Sequence, residues 1–192
     1  MGLDQYVYQM RKVSQKNIQE FNKKNVDELP DGVLTINKAS VDENPNMYKD
    51  ILPILTPIKL VATLIDMERI KKDHNVPEYY QIGSRCYGGG SISWGFYAPE
   101  RRGSLDVTLD EDELKSYLYD EERDYYICYY KEVYYMRKHY DTQDLMYEIY
   151  EGEIENCGFH HMSQEMIEAL NESEGKRVLD TRAKSLYYYE WY

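Results

Sequence analysis

The chain has no apolar run approaching the roughly 20 residues that a membrane-crossing helix needs, so no membrane partner is expected. Cysteine is scarce. Cys86, Cys128 and Cys157 are odd in number and widely spaced, which argues against a disulfide framework and for a reducing compartment. The opening MGLDQYVYQMRK lacks the apolar core of a signal peptide. Phe and Trp are few, 3 and 2, while Tyr numbers 22. Tyrosine buries a large ring and leaves a hydroxyl that needs a partner, so this supply suits half-buried sheets and interfaces.

Lysine and arginine are missing altogether between Asp141 and Glu174, a stretch holding ten acids, and Asp106–Asp124 has nine acids against two bases. The formal net charge is −12, so these two segments account for more than the whole excess. Phosphate contacts need Lys and Arg, so direct nucleic-acid binding is not expected. A protein with a basic surface is the better-matched partner. At 192 residues the length fits one substantial domain.

Read in order, Leu3–Lys12 alternates as a strand and Ser14 caps a helix ending near Lys24, with Ile18 and Phe21 inward. A turn at Asp27–Gly32 precedes a short strand at Val33–Asn37, and Ala39–Asn46 reads as a loop. Thr56-Pro57 has the form of a helix start. Ile58, Val61, Leu64 and Ile65 then give about three turns of apolar face. His74–Gly103 is the loosest part, glycine-rich, with one strand expected at Ser91–Tyr97 in a hairpin or lid. Leu105–Leu109 reads as a strand, and Asp110 with Glu113 forms a capping-box start to a helix running to about Tyr119. Asp120–Asp124 reads as a charged turn and Tyr125–Tyr130 as a strand. A helix starting at Val133 or Arg137 should reach Tyr150. After a loop and a short extended piece at Phe159–Met162, Ser163 caps a last helix, Gln164–Asn171. The tyrosine-rich C-terminus is either a strand or an adhesive tail.

Four constellations carry chemistry. Asp141, Asp144, Glu148 and Glu151 recur at i, i+3, i+7 and i+10. On a helix that spacing lines four carboxylates on one face, each neighbouring pair costing a few tenths of a kcal/mol. Asp110, Glu111 and Asp112 extend the acidic candidates. Cys157, His160 and His161 are metal-ligand residue types, but the second ligand pair of a zinc site is missing, and burial of Cys as a small hydrophobe is the simpler account. Gly88 and Gly89, with Arg85, Arg101 and Arg102, form the alternative ligand site, although neither known phosphate-loop spacing is present. The paired tyrosines at 125–135 favour sheet packing over base stacking, because acids outnumber the nearby Lys131, Arg137 and Lys138. No cofactor is implied.

MGLDQYVY at the start, EVYYMRK at 132–138, and ENCGFHHMSQEMIEAL from Glu155 together resemble a group of small phage and prophage proteins of unknown function. These tend to begin MGLD and to carry E-V-x-Y-W-R-K and then (N/D)-C-G before a Ser-capped helix. Met136 stands where Trp is usual, and Val13–Asp124 reads as a large addition. The resemblance implies a phage accessory protein in the cytoplasm of an infected bacterium, and transfers no catalytic residues.

The expectation is a single α+β domain over 1–192. Its antiparallel sheet would be built from the Leu3, Leu105 and Tyr125 strands, with helices packed on it and a Gly-rich insertion. Its function would be to bind and inhibit a host defence protein through an acidic, nucleic-acid-like surface. The alternatives are a nucleotide or signal-molecule binder (sponge or hydrolase) at the Gly/Arg segment, and a self-associating assembly subunit such as a homodimer.

Overall fold

The computed structural model describes residues 2–98 and 103–192. The chain forms two compact units: residues up to Leu60 with Glu122–Tyr192, and Val61–Glu121. Both are α+β. The second unit lies inside the stretch read as an addition, whereas residues 13–60 belong to the first.

In the first unit β1 (Asp4–Arg11) is central. It pairs antiparallel on one side with β7 (Leu118–Arg137) and on the other with β9 (Leu186–Trp191). Outside these lie β2 (Val33–Asn37) on β7 and β8 (Phe159–His161) on β9; β3 (Thr56–Ile65) also pairs with β7. The undecided C-terminus is therefore an interior strand. Its Tyr188 is fully buried.

Alternation along the strands divides the sheet into two faces. Val7, Met136, Leu186 and Tyr188 point toward α6 (Tyr140–Ile149) and α7 (Gln164–Ser173), packing with Met146, Met166, Ile167 and Leu170. The opposite face carries Tyr8, Met10, Phe159, Tyr187 and Tyr189. It is partly covered by α2 (Lys38–Glu43), α3 (Pro45–Tyr48) and the turn around Ile51. A third cluster joins Phe21 of α1 (Gln15–Phe21) to Ile58, Leu60 and Ile127.

The second unit contains α4 (Met67–Asp73) and a three-stranded antiparallel meander, β4 (Gln81–Gly88), β5 (Ser91–Ala98) and β6 (Gly103–Asp110), followed by α5 (Glu111–Ser116). Ile70, Trp94, Phe96, Val107 and Leu109 form its core. Gly88 pairs with Ser91 across Gly89 and Gly90, whose φ angles are +59° and +80°. Two successive positive φ values make the twisted turn that a tight hairpin requires, so the glycines serve the hairpin.

The expected core helix at Thr56 is corrected to a strand. Burial along β3 alternates, with Ile58, Leu60 and Ala62 inside and Pro57, Lys59 and Thr63 outside. The same residues satisfy a helical stripe and a strand alternation, and Pro is tolerated near a strand's start. The charged turn at Asp120–Asp124 is instead the exposed beginning of the 20-residue β7. There Lys23 pairs with Glu122 at 3.2 Å and Lys59 with Asp124 at 3.3 Å. Val133–Arg137 is strand as well, and the helix starts at Tyr140 after Lys138 takes a positive φ of 59°. Ala39–Asn46, read as loop, lies in α2 and α3. The Asn37 side chain accepts from the Ala39 N–H to start α2, and Pro45 opens α3. The helix after Asp110 ends at Ser116, short of Tyr119. The Leu105 strand is not in the Leu3–Tyr125 sheet but in the second unit's meander.

Candidate functional site

On α6, Thr142 and Met146 are buried against the sheet, while Asp141, Asp144 and Glu148 are exposed on the outer side. None of these three carboxylates has an ion-pair partner among the described residues. Glu151 lies beyond the helix, whose last turn is closed by Tyr150. The stripe on the helix itself is thus three carboxylates long.

α6 is held to the sheet by a polar network beneath it. Glu190 is fully buried and accepts hydrogen bonds from Tyr188 Oη (2.9 Å), Gln143 Nε2 (3.1 Å) and Tyr147 Oη, while Gln5 Nε2 donates to Tyr188 Oη at 2.8 Å. Burial chiefly, with the Glu190 carboxyl beside it, raises the Tyr147 phenol well above its ordinary range. It remains a donor.

Asp110, Glu111 and Asp112 are engaged locally. Asp110 accepts from the backbone N–H groups of Asp112 and Glu113, and Glu113 returns the bond, completing the capping box. Lys115 lies 3.4 Å from Glu111 and 3.2 Å from Asp112. These acids belong to the second unit and start a helix, so they are already partly neutralised.

The alternative site divides. The Arg85 guanidinium stacks 4.7 Å over the Tyr87 ring and 5.6 Å from the Trp94 ring. Gly88 and Gly89 border a hollow of about 400 Å³ that Asp110 and Glu111 also line, and carboxylates there repel a phosphate. Arg101 and Arg102 lie outside the described residues.

The Cys/His candidates do not converge. Adjacent in a strand, His160 and His161 point to opposite faces. His160 is fully buried and in ring contact with Tyr150, whereas His161 stacks edge-on against Tyr187. The His160 Nε2 sits 3.1 Å from the Glu155 backbone nitrogen and 3.2 Å from its carbonyl, and Nδ1 has no partner among the described residues. Desolvation holds the His160 pKa below the ordinary histidine range. Among the described residues no group of three or more His, Cys, Asp and Glu could hold a metal ion.

The residues that carried the sequence resemblance come together in the first unit. Tyr135 Oη donates to Asp4 at 2.7 Å, Arg137 lies 3.7 Å from Asp4, and the Lys138 N–H donates to the Leu3 carbonyl. Cys157 takes a left-handed φ of 63°, and its N–H donates to Glu190 O at 2.8 Å. A Cβ on Gly158 would stand 2.8 Å from His160 Nε2 and 2.9 Å from Glu155 O, so only glycine fits. The Cys-Gly pair is a turn device.

Sequence reasoning missed one concave feature of this unit. On the face opposite α6, Tyr6, Tyr8, Tyr130, Tyr189 and Trp191 line an open trough of about 590 Å³, walled by Asn37, Ser40 and Tyr48. The signal was present as period-2 aromatics, Tyr6/Tyr8 and Tyr187/Tyr189/Trp191, but their pairing depended on a C-terminal strand that could not be placed.

No family model, curated protein or solved structure matches the chain. Among the described residues no helix is long and apolar enough to cross a membrane.

Proposed function

We propose that this is a phage accessory protein that binds a basic surface of a bacterial host protein through the acidic face of α6, and inhibits it by occupying that surface. The observation that carries this reading is the exposed row Asp141, Asp144 and Glu148, unpaired among the described residues. It lies in a 34-residue stretch, 141–174, with no Lys or Arg. Carboxylates one turn apart, about 5–6 Å between their Cβ atoms, present a linear array of negative charge to a cationic groove. The phage setting and the defence-protein target rest on the MGLD, EVYYMRK and Cys-Gly resemblance.

The test is capture from host lysate with wild type and with a D141K/D144K/E148K variant. The reversal changes net charge by six, from −12 to −6. Glu148→Lys near the helix C-terminus gains about what Asp141→Lys in the first turn loses to the helix dipole, so melting temperature should change little. The wild type should retain a basic partner at low salt and release it as the Debye length shrinks from about 10 Å at 0.1 M to about 3 Å at 1 M. The variant should not retain it. Equal retention by both proteins refutes the reading.

A further inference from the structure

We propose that the tyrosine trough on the sheet face opposite α6 binds a proline-rich peptide segment in polyproline II conformation, with a basic residue of the peptide placed beside Glu132. This surface is separate from the α6 row and does not depend on it.

The lining chemistry selects the ligand. Tyr6, Tyr8, Tyr130, Tyr189 and Trp191 supply rings, Asn37 and Ser40 supply polar groups, and among the described residues no Lys, Arg, Asp or Glu side chain lines the trough. A polynucleotide needs Lys or Arg along its phosphates, and none is present. Strand addition needs a free sheet edge, and this site is a face. A polyproline II segment, by contrast, carries apolar rings and backbone carbonyls with no internal hydrogen bonds. It docks on aromatic-lined grooves whose hydroxyl and amide groups can donate to those carbonyls. Burial, with Glu132 next, pushes the Tyr8 phenol up to about 12, so it remains a donor at neutral pH.

The spacing also fits. Tyr6 and Tyr8 stand 5.7 Å apart on β1 with planes only 10° from parallel. Tyr135 lies 5.0 Å from Tyr6, Tyr130 lies 5.7 Å from Tyr8, and Tyr189 lies 6.1 and 6.0 Å from the pair. Aromatics thus stand in rows on β7, β1 and β9. Tyr135 at the trough's margin and Tyr189 both stand opposite Tyr6, and neighbouring strands are about 4.8 Å apart, so these two ring positions are separated by about 9.6 Å. One polyproline II turn of three residues advances about 9.3 Å. A segment crossing the strands therefore presents the same face to β7 and again to β9. The trough is open enough to admit it: Tyr130 is 37% and Trp191 56% exposed.

The charge at the margin chooses the flank. Glu132 faces Tyr8 across the β1–β7 ladder and is exposed, with no ion-pair partner among the described residues. An Arg or Lys next to the proline core would complement it.

The experiment is calorimetric titration of the full-length protein with three synthetic ten-residue peptides. One has two Pro-x-x-Pro repeats and a terminal Arg, one lacks the Arg, and one has every Pro replaced by Ala. The Arg-flanked peptide should saturate below about 1 mM, the unflanked one should bind more weakly, and the Ala peptide should not bind. Tyr130→Ala and Trp191→Ala remove exposed rings and should keep the wild-type melting temperature while weakening binding at least about fivefold, the loss expected of a contact residue worth 1 kcal/mol. Glu132→Gln should erase only the advantage of the Arg. Equal binding of the Ala peptide, no saturation, or affinities unmoved by both ring variants would each overturn the assignment. So would binding of a single-stranded oligonucleotide at the trough with the peptides inert.

Discussion

Replacing Glu190 by Ala tests whether the buried network holds α6 on the sheet. The substitution removes the acceptor of three hydrogen bonds, from Tyr188, Gln143 and Tyr147. Tyr188 is 0% exposed, so its O–H, left without an acceptor while Gln5 still donates to the oxygen, bears the desolvation penalty of about 1–3 kcal/mol. Tyr147 is 42% exposed and can turn to water, so its loss and that of Gln143 should add only about 0.5–1 kcal/mol each. The sum is about 3 kcal/mol. For a chain of 192 residues, at about 2–4 °C per kcal/mol, the melting temperature should drop by about 6–12 °C. Tyr147→Phe alone should cost no more than about 1.5 kcal/mol. In the double variant the two losses should not add, because both remove the same bond. Thermal melting followed by circular dichroism gives all four corners of the cycle. A Glu190→Ala protein melting within about 2 °C of wild type, or strictly additive losses, would show that the network does not anchor α6.

Two further outcomes concern titration and reactivity. His160 is buried with its pKa held below the ordinary histidine value by desolvation. In acid the unfolded chain therefore takes up a proton that the native state resists, and stability should decline as pH falls below about 6.5, by at most about 1.4 kcal/mol per pH unit. His160→Gln should flatten that slope in urea titrations between pH 5 and 7, and an unchanged slope would remove His160 as its source. Burial pushes the Cys128 thiol up to about 12, while Cys86 is exposed and Cys157 half-buried. Maleimide at neutral pH should label Cys86 first and Cys128 only on unfolding; early labelling of Cys128 contradicts the packing.

Local chemistry was legible wherever one residue type fixes one geometry. Ser14, Asp110 with Glu113, and Ser163 each cap a helix as their side chains require. β1 alternates strongly enough to be read directly, and β2 was legible as a short run after the turn at Asp27–Gly32. What stayed hidden depended on partners distant in sequence. Thr56–Ile65 fits both periods, and only pairing with β7 and burial of Ile58 and Leu60 choose the strand. The acids at 120–124 read as a turn because their cations, Lys23 and Lys59 among them, come from elsewhere in the chain. The α6 row was legible from spacing but lost Glu151, since a helix end is set by packing as much as by pattern. The trough was illegible, because it exists only once β9 lies beside β1.

The second unit enters and leaves by neighbouring points. Thr63 Oγ1 donates to Asp120 Oδ1 at 2.7 Å, and the Asp66 N–H reaches the Tyr117 carbonyl at 2.9 Å. A segment whose two ends meet can be exchanged for another of any length, because closing a longer or shorter loop there changes the entropy only slowly with its size. Residues 61–121 thus form a cassette. The tyrosine trough and the acidic helix are both built wholly from the segments that flank it.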